Sequence, residues 1–279
     1  MRKKVEKINF DYLQMYFGEP YVVDLESAKG SITIYQPTIG DIINIGEEKF
    51  YETLYIFITN TTTYRLALWK QGMDWNEVSD FELFLMLYPG IDEKVSKLFF
   101  GDLNWKDFEL SKKISFEEKE DDIENISDDS KSEEKIQFCL YNEKEDIEIN
   151  EDVYNHISQY LRSVFNIYPE EKLTNNSVMK KWFIEKDLRQ LNIDKEKAKN
   201  GKMDGNSIQS IISACVNHPG FKYKLRELRD VGICEFYDSV KRLQVYESTT
   251  ALMKGMYSGF MDSSKIKAED YNFMQDIKR

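Results

Sequence analysis

The sequence predicts an α+β chain that is mainly α, with an N-terminal β-hairpin plus helices, a small central sheet carrying an acidic loop, and a helical C-terminal region. Three observations predict it. Ile32 and Ile34 alternate with polar neighbours before Pro37, and Thr38 with Asp41 then makes a capping box, so strand, stop and capped helix follow one another directly. Residues 117–135 hold ten acidic side chains against three lysines, between short strand-like pieces. Further on, Val153, Ile157, Tyr160, Leu161, Val164 and Phe165 recur at helical spacing, as do Ile233, Phe236, Tyr237, Val240, Leu243 and Tyr246.

Taken in order, residues 5–17 place Ile8, Tyr12, Met15 and Tyr16 on one face of a short helix that Pro20 interrupts. Residues 21–25 and 31–36 form the two strands of a hairpin, turning at 27–30. Apolar positions from Ile42 to Ile58 keep helical spacing, although Gly46 weakens that helix by about 1 kcal/mol relative to alanine. The β-branched run Thr59-Asn-Thr-Thr-Thr63 breaks it. A short helix over 64–71 follows, closed by Gly72. Ser79 and Glu82 form a second capping box, opening a helix that Pro89-Gly90 ends, and residues 91–100 form another.

The composition shifts after Leu110. Residues 113–116, 136–141 and 146–149 read as strands, the last two joined by a turn at 142–145, with the acidic run as a mobile loop inside the sheet. The 153–165 helix ends at Tyr168-Pro169. A charged helix over 178–191, a polar loop over 194–206, a helix through Ile208, Ile211, Ile212 and Cys215, a short helix marked by Leu225 and Leu228 before Gly232, and a long helix over 233–256 complete the chain. Three stretches are expected: 1–110, 111–149 and 150–279.

A net charge of −12 argues against general affinity for nucleic acid or anionic lipid, since both need clustered Lys and Arg. The opening Met1-Arg-Lys-Lys-Val-Glu-Lys7 has no apolar core of a secretory signal, and no apolar run could span a bilayer. Cys139, Cys215 and Cys234 are too far apart to pair by spacing and are expected as free thiols in a reducing cytoplasm.

No catalytic constellation emerges. His156 is expected at the surface of its helix and His218 in a turn, neither with metal-ligand spacing to a second donor. Gly201-Lys-Met-Asp-Gly205 lacks the ending of a phosphate loop. Gly255-Met-Tyr-Ser-Gly259 places its serine one position late for a nucleophile elbow and fits a helix end. Catalytic, cofactor-binding and metal sites are therefore all expected to be absent. The basic cluster Lys222, Lys224, Arg226, Arg229, Lys241 and Arg242 fits a solvated face or a contact with an acidic partner, the chain's own acidic loop included. Trp69, Trp75 and Trp105 lie in or near turns, where large aromatics serve as core anchors or as interface hot spots. With Phe236, Tyr237 and Tyr246 they are the candidate partner-binding residues.

The segment centred on Pro37-Thr-Ile-Gly-Asp41 resembles the opening of phage tail assembly chaperones, where a short strand precedes a similar segment and a helical domain. Tyr64-Arg-Leu-Ala-Leu-Trp69, Met73-Asp-Trp75, Ser79-Asp-Phe-Glu-Leu-Phe84, Phe100-Gly-Asp-Leu103, and Gly255-Met-Tyr-Ser-Gly259 with Ile266 carry a similar likeness to tail-gene proteins of phages and prophages of Gram-positive bacteria. The first resemblance covers about residues 21–110; the acidic insert and the helical C-terminal half exceed the small chaperones. It implies a non-enzymatic factor that coats the tape-measure protein in the host bacterial cytoplasm during assembly and recruits tail-tube subunits. Homo-oligomers are compatible with it, and neither nucleic acid nor membrane is an expected partner. A structural subunit of the particle, in the tail or the head–tail connector, is the alternative, and would persist in the virion. A nucleic-acid-processing enzyme or its acidic regulator is a third reading; it requires a tuned carboxylate cluster or a basic groove, and the sequence offers neither.

Overall fold

A computed structural model describes residues 5–25, 30–117, 133–200, 207–259 and 266–274. The chain is mainly helical, with the predicted N-terminal hairpin, three-stranded sheet and C-terminal helices. The predicted turn at 27–30, apart from Gly30, lies outside the described residues. So do the phosphate-loop-like stretch and most of the acidic run.

Strands β1 (Tyr21–Asp24) and β2 (Ser31–Ile34) pair antiparallel, Tyr21 opposite Ile34 and Asp24 opposite Ser31. Alternation buries Val23, Ile32 and Ile34 while Val22 faces out. Helix α1 (Tyr12–Tyr16) is shorter than the predicted 5–17. Its start is fixed by Asp11, whose carboxylate accepts from the amides of Leu13 (2.9 Å) and Gln14 (3.2 Å). Gly18, at φ +75°, then turns the chain away.

The predicted 41–58 helix is two helices, α2 (Ile39–Ile45) and α3 (Glu47–Ile58). Gly46 separates them at φ +99°, ψ +135°, a conformation glycine alone adopts cheaply. The capping box is present: Thr38 Oγ1 accepts from the Asp41 amide at 3.1 Å, and Asp41 accepts from the Thr38 amide at 2.8 Å. This segment also receives the C-terminal part of the chain. The Ile39 amide donates to the Val231 carbonyl and the Ile233 amide to the Pro37 carbonyl, both at 3.0 Å. A Cβ on Gly40 would stand 2.6 Å from the Arg229 carbonyl oxygen, so glycine permits that approach.

Helix α4 (Arg65–Lys70), α5 (Asp80–Leu87) and α6 (Glu93–Phe100) follow. Helix α6 starts two residues later than predicted, because the Asp92 carboxylate caps the amides of Lys94 and Val95. Strands β3 (Glu109–Glu117), β4 (Glu133–Asn142) and β5 (Ile147–Ile149) form an antiparallel sheet in that order.

Helix α7 (Glu151–Phe165) carries its predicted stripe fully buried against α3, α5 and α10 (Ile233–Tyr257). One apolar core joins all three predicted stretches, from Met15 through Phe57, Leu140 and Leu161 to Phe236. Its centre is aromatic: Phe84 stacks on Tyr154 with ring centroids 4.8 Å apart, and Phe57 meets Trp105 edge-on at 5.1 Å. Each such side chain, fully buried, contributes about 1.5–3 kcal/mol.

Helix α8 (Ser177–Lys199) runs eight residues past the predicted end, so residues 194–199 of the loop expected over 194–206 are helix. Lys, Glu and Ala favour helix here, and no breaker occurs before Gly201. Ile184 is its one buried residue. Helix α9 (Ile208–Val216) leads on to α10 through a 3-10 turn over Glu227–Asp230, which replaces the short helix expected at Leu225 and Leu228: Leu228 is buried, but Leu225 is exposed and lies outside the turn.

Candidate partner-binding surface

The structure distributes the six candidate residues between core and surface. Trp75 is fully buried beneath α8, with Leu68, Leu83 and Ile184 around it, and its indole donates to the Lys172 carbonyl at 3.2 Å. Trp105 is buried among Phe57, Phe84, Phe100 and Phe108. Phe236, on the first turn of α10, is buried too. These three act as core anchors. Tyr237 is partly buried, its hydroxyl 2.7 Å from that of Tyr51, and burial raises the pKa of both phenols. Trp69 (39% exposed) and Tyr246 (50% exposed) face solvent.

Tyr246 marks a groove because α10 outlasts the core beneath it. Its first turns are buried through Ile233, Cys234 and Phe236, whereas from Leu243 onward Thr249 alone is buried. The groove, about 580 Å³, is lined by Tyr16, Phe221, Leu243, Tyr246, Phe273 and Met274. Tyr246 and Phe273 meet edge-on at 6.0 Å, and Arg242 donates to the Phe273 carbonyl at 3.0 Å, which holds that wall in place. On the other side the Tyr12 hydroxyl donates to Asp238 at 2.7 Å and ties α1 to α10.

Charges rim an otherwise apolar floor. Lys222 stands 3.3 Å from Glu235 and 4.5 Å from the Tyr223 ring; its pKa is raised by its hydrogen bonds to Tyr223 and Tyr16, which outweigh the opposing effect of burial. Away from the groove, Arg229 donates to Asn44 at 2.9 Å. Lys222, Arg229 and Arg242, members of the predicted basic cluster, thus each contact groups of the chain's own body.

A second cleft, about 790 Å³, separates residues 5–12 from α7. It is more polar, and its central arginine already has partners: Arg162 donates to the carbonyls of Ile58 (2.8 Å) and Thr59 (2.7 Å), with Asp80 at 3.7 Å. His156, expected at the surface, is half-buried: its Nδ1 lies 2.7 Å from the Tyr21 hydroxyl, and the rings stack. His218 occupies the predicted turn, its Nδ1 accepting from the Gly220 amide at 3.1 Å. The Gly255–Gly259 stretch is the end of α10, with Ser258 as C-cap and its hydroxyl donating to the Gly255 carbonyl. All three cysteines are buried free thiols. Among the described residues no three His, Cys, Asp or Glu side chains gather as metal ligands. Among the same residues no helix is long and apolar enough to cross a membrane.

Sequence reasoning missed one exposed feature, the outer half of α8. Leu188, Leu191 and Ile193 are 38%, 37% and 47% exposed on a helix whose inner half is pinned down. Arg65 grips Asp187 through two hydrogen bonds of 2.6 and 2.5 Å, and Lys180 pairs with Asp74. Continuing the helical period past Leu191 to Ala198 would have extended the predicted helix into this segment.

Residues 195–278 match a family model described as the second domain of YomV, a phage- and prophage-encoded family. The match begins in the last turns of α8 and takes in α9, α10 and the groove wall at Phe273. No curated protein and no solved structure matches the chain. The C-terminal part is thus similar to a phage-associated domain.

Proposed function

We propose that the chain is a non-enzymatic phage tail assembly factor that binds the tape-measure protein and recruits tail-tube subunits. The observation that carries this reading is the apolar groove under Tyr246, which lies largely within the phage-like segment. A tape measure is a long helix whose apolar stripe is exposed until the tail closes around it. Tyr246, Leu243, Phe221 and Phe273 offer apolar side chains of such a stripe a place to dock, in the manner of amphipathic helices that anchor in apolar grooves. Aromatic walls suit this role because they bury large areas with little loss of side-chain entropy. Helix α7 has no such spare face, since its whole apolar stripe packs inside.

The factor works in the host cytoplasm during assembly and leaves before the particle matures. Co-expression with each product of the surrounding genes, followed by affinity capture and mass determination of the complex, tests it. Capture of a long coiled-coil tape-measure protein that is insoluble alone is expected, with Tyr246→Ala weakening capture at unchanged fold. Rings or tubes of this chain without such a client, or its persistence in purified virions, would favour a structural subunit and overturn the reading.

A further inference from the structure

Helix α8 is basic in an acidic chain. It holds seven Lys and Arg against four Asp and Glu, where the whole chain carries −12. The inward side meets α4 through Ile184, Phe183 and the Arg65–Asp187 pair. Turning along the opposite side at steps of three and four are Val178, Trp182, Lys186, Arg189, Ile193 and Lys197. Val178, Trp182 and Ile193 are 72%, 45% and 47% exposed, and Lys186 holds its ammonium 5.5 Å from the Trp182 ring centroid. Asp187 faces inward to Arg65, Asp194 reaches Lys197 at 3.9 Å, and Glu185 and Glu196 lie along the Val178 edge of the stripe, so Lys186 and Arg189 carry most of its positive charge.

The chain contains a segment of the opposite kind. Residues 118–132 hold seven acidic side chains against two lysines, with Ile123 and Ile126 three residues apart in Asp121-Asp-Ile-Glu-Asn-Ile-Ser-Asp-Asp129. β3 and β4 pair as far as Glu117 opposite Glu133, so the segment is delivered from the far end of that hairpin. A sequence with two isoleucines flanked by acidic residues complements a stripe of Trp182, Val178 and Ile193 interleaved with Lys186, Arg189 and Lys197.

We infer that residues 118–132 of a second copy dock along the outward stripe of α8, in a two-fold pair. Each copy gives its acidic segment and receives the other's, so one complementarity is used twice. The excess of positive charge on this helix also offsets part of the repulsion between two chains of charge −12. The inference does not depend on the client proposed for the groove, which lies on α10.

Sedimentation of the full chain tests it. A dimer is expected at about 0.05 M salt, with its dissociation constant rising at least about tenfold by about 0.5 M, where the Debye length is about half that at physiological salt. Lys186→Glu with Arg189→Glu should abolish the dimer, and Asp121→Lys with Asp122→Lys and Glu124→Lys should do the same. Mixing the two variants restores a dimer, because both contacts across the mixed pair are again between opposite charges. A wild-type chain that stays monomeric, or variants whose mixture stays monomeric, overturns the inference. So does a dimer indifferent to salt and to both charge reversals.

Discussion

Helices α7 and α8 share a chain and little else. Helix α7 is the shorter at 15 residues and buries eight of them; α8 spans 23 residues and buries Ile184 alone. Both open on an asparagine cap, so their ends do not distinguish them. The difference lies in periodicity. Apolar side chains of α7 fall on one stripe, and that stripe faces α3, α5 and α10. Those of α8 fall on two sides: Ile184 and Phe183 against the body, Val178 and Trp182 against solvent. One helix is held by the core, and the other by a few directed contacts along half its length. A long helix with a split apolar pattern is thus a sign of a second surface.

Mutations that separate the two helices make the contrast measurable. The largest effect is expected from Phe165→Ala in α7, at about 3–5 kcal/mol of unfolding free energy by chemical denaturation, because a fully enclosed ring leaves a cavity. Arg65→Met should cost about 1.5–3 kcal/mol, since it removes two charge-assisted hydrogen bonds and strands the partly buried Asp187. Gly46→Ala should cost about 1–2 kcal/mol from backbone strain alone, as nothing lies within 4 Å of the added Cβ. Leu188→Ser on the outer half of α8 should stay within about 0.5 kcal/mol, and a larger loss would mean that this half is packed.

A smaller, pH-dependent effect concerns Asp107. A hydrogen bond from Lys144 holds its carboxyl below the usual range, so the pair stabilises the fold above the unfolded carboxylate pKa and ceases to as pH falls through the folded one. In Lys144→Met the difference from wild type should be present at neutral pH and close on the acid side.

The parts of the fold legible in the sequence were those where one local rule decided the outcome. Thr38 and Ser79 announced their helices because a capping box needs only a side chain and an amide three residues apart. The α7 stripe was legible because burial on one face imposes a period. Gly46 marks a weak point in the sequence but not a break, since only tertiary packing selects its positive φ. The extra turns of α8 were hidden by polar composition, which suits an exposed helix as well as a loop. In the candidate site, Tyr246 was placed on a helix face, but Tyr16, Phe221 and Phe273 come from distant stretches of chain. No spacing rule could bring them together. Trp75 and Trp105 beside turns fitted core and interface alike until neighbouring side chains enclosed them.

Hydrogen exchange read segment by segment on the dilute chain tests the contrast between the two helices most directly. Amides of α7 should exchange only through global unfolding, while those of residues 188–199 should exchange by local fraying, orders of magnitude sooner, and slow down as the concentration is raised. Equal protection of both helices at high dilution would contradict it, because the outer half of α8 would then belong to the body.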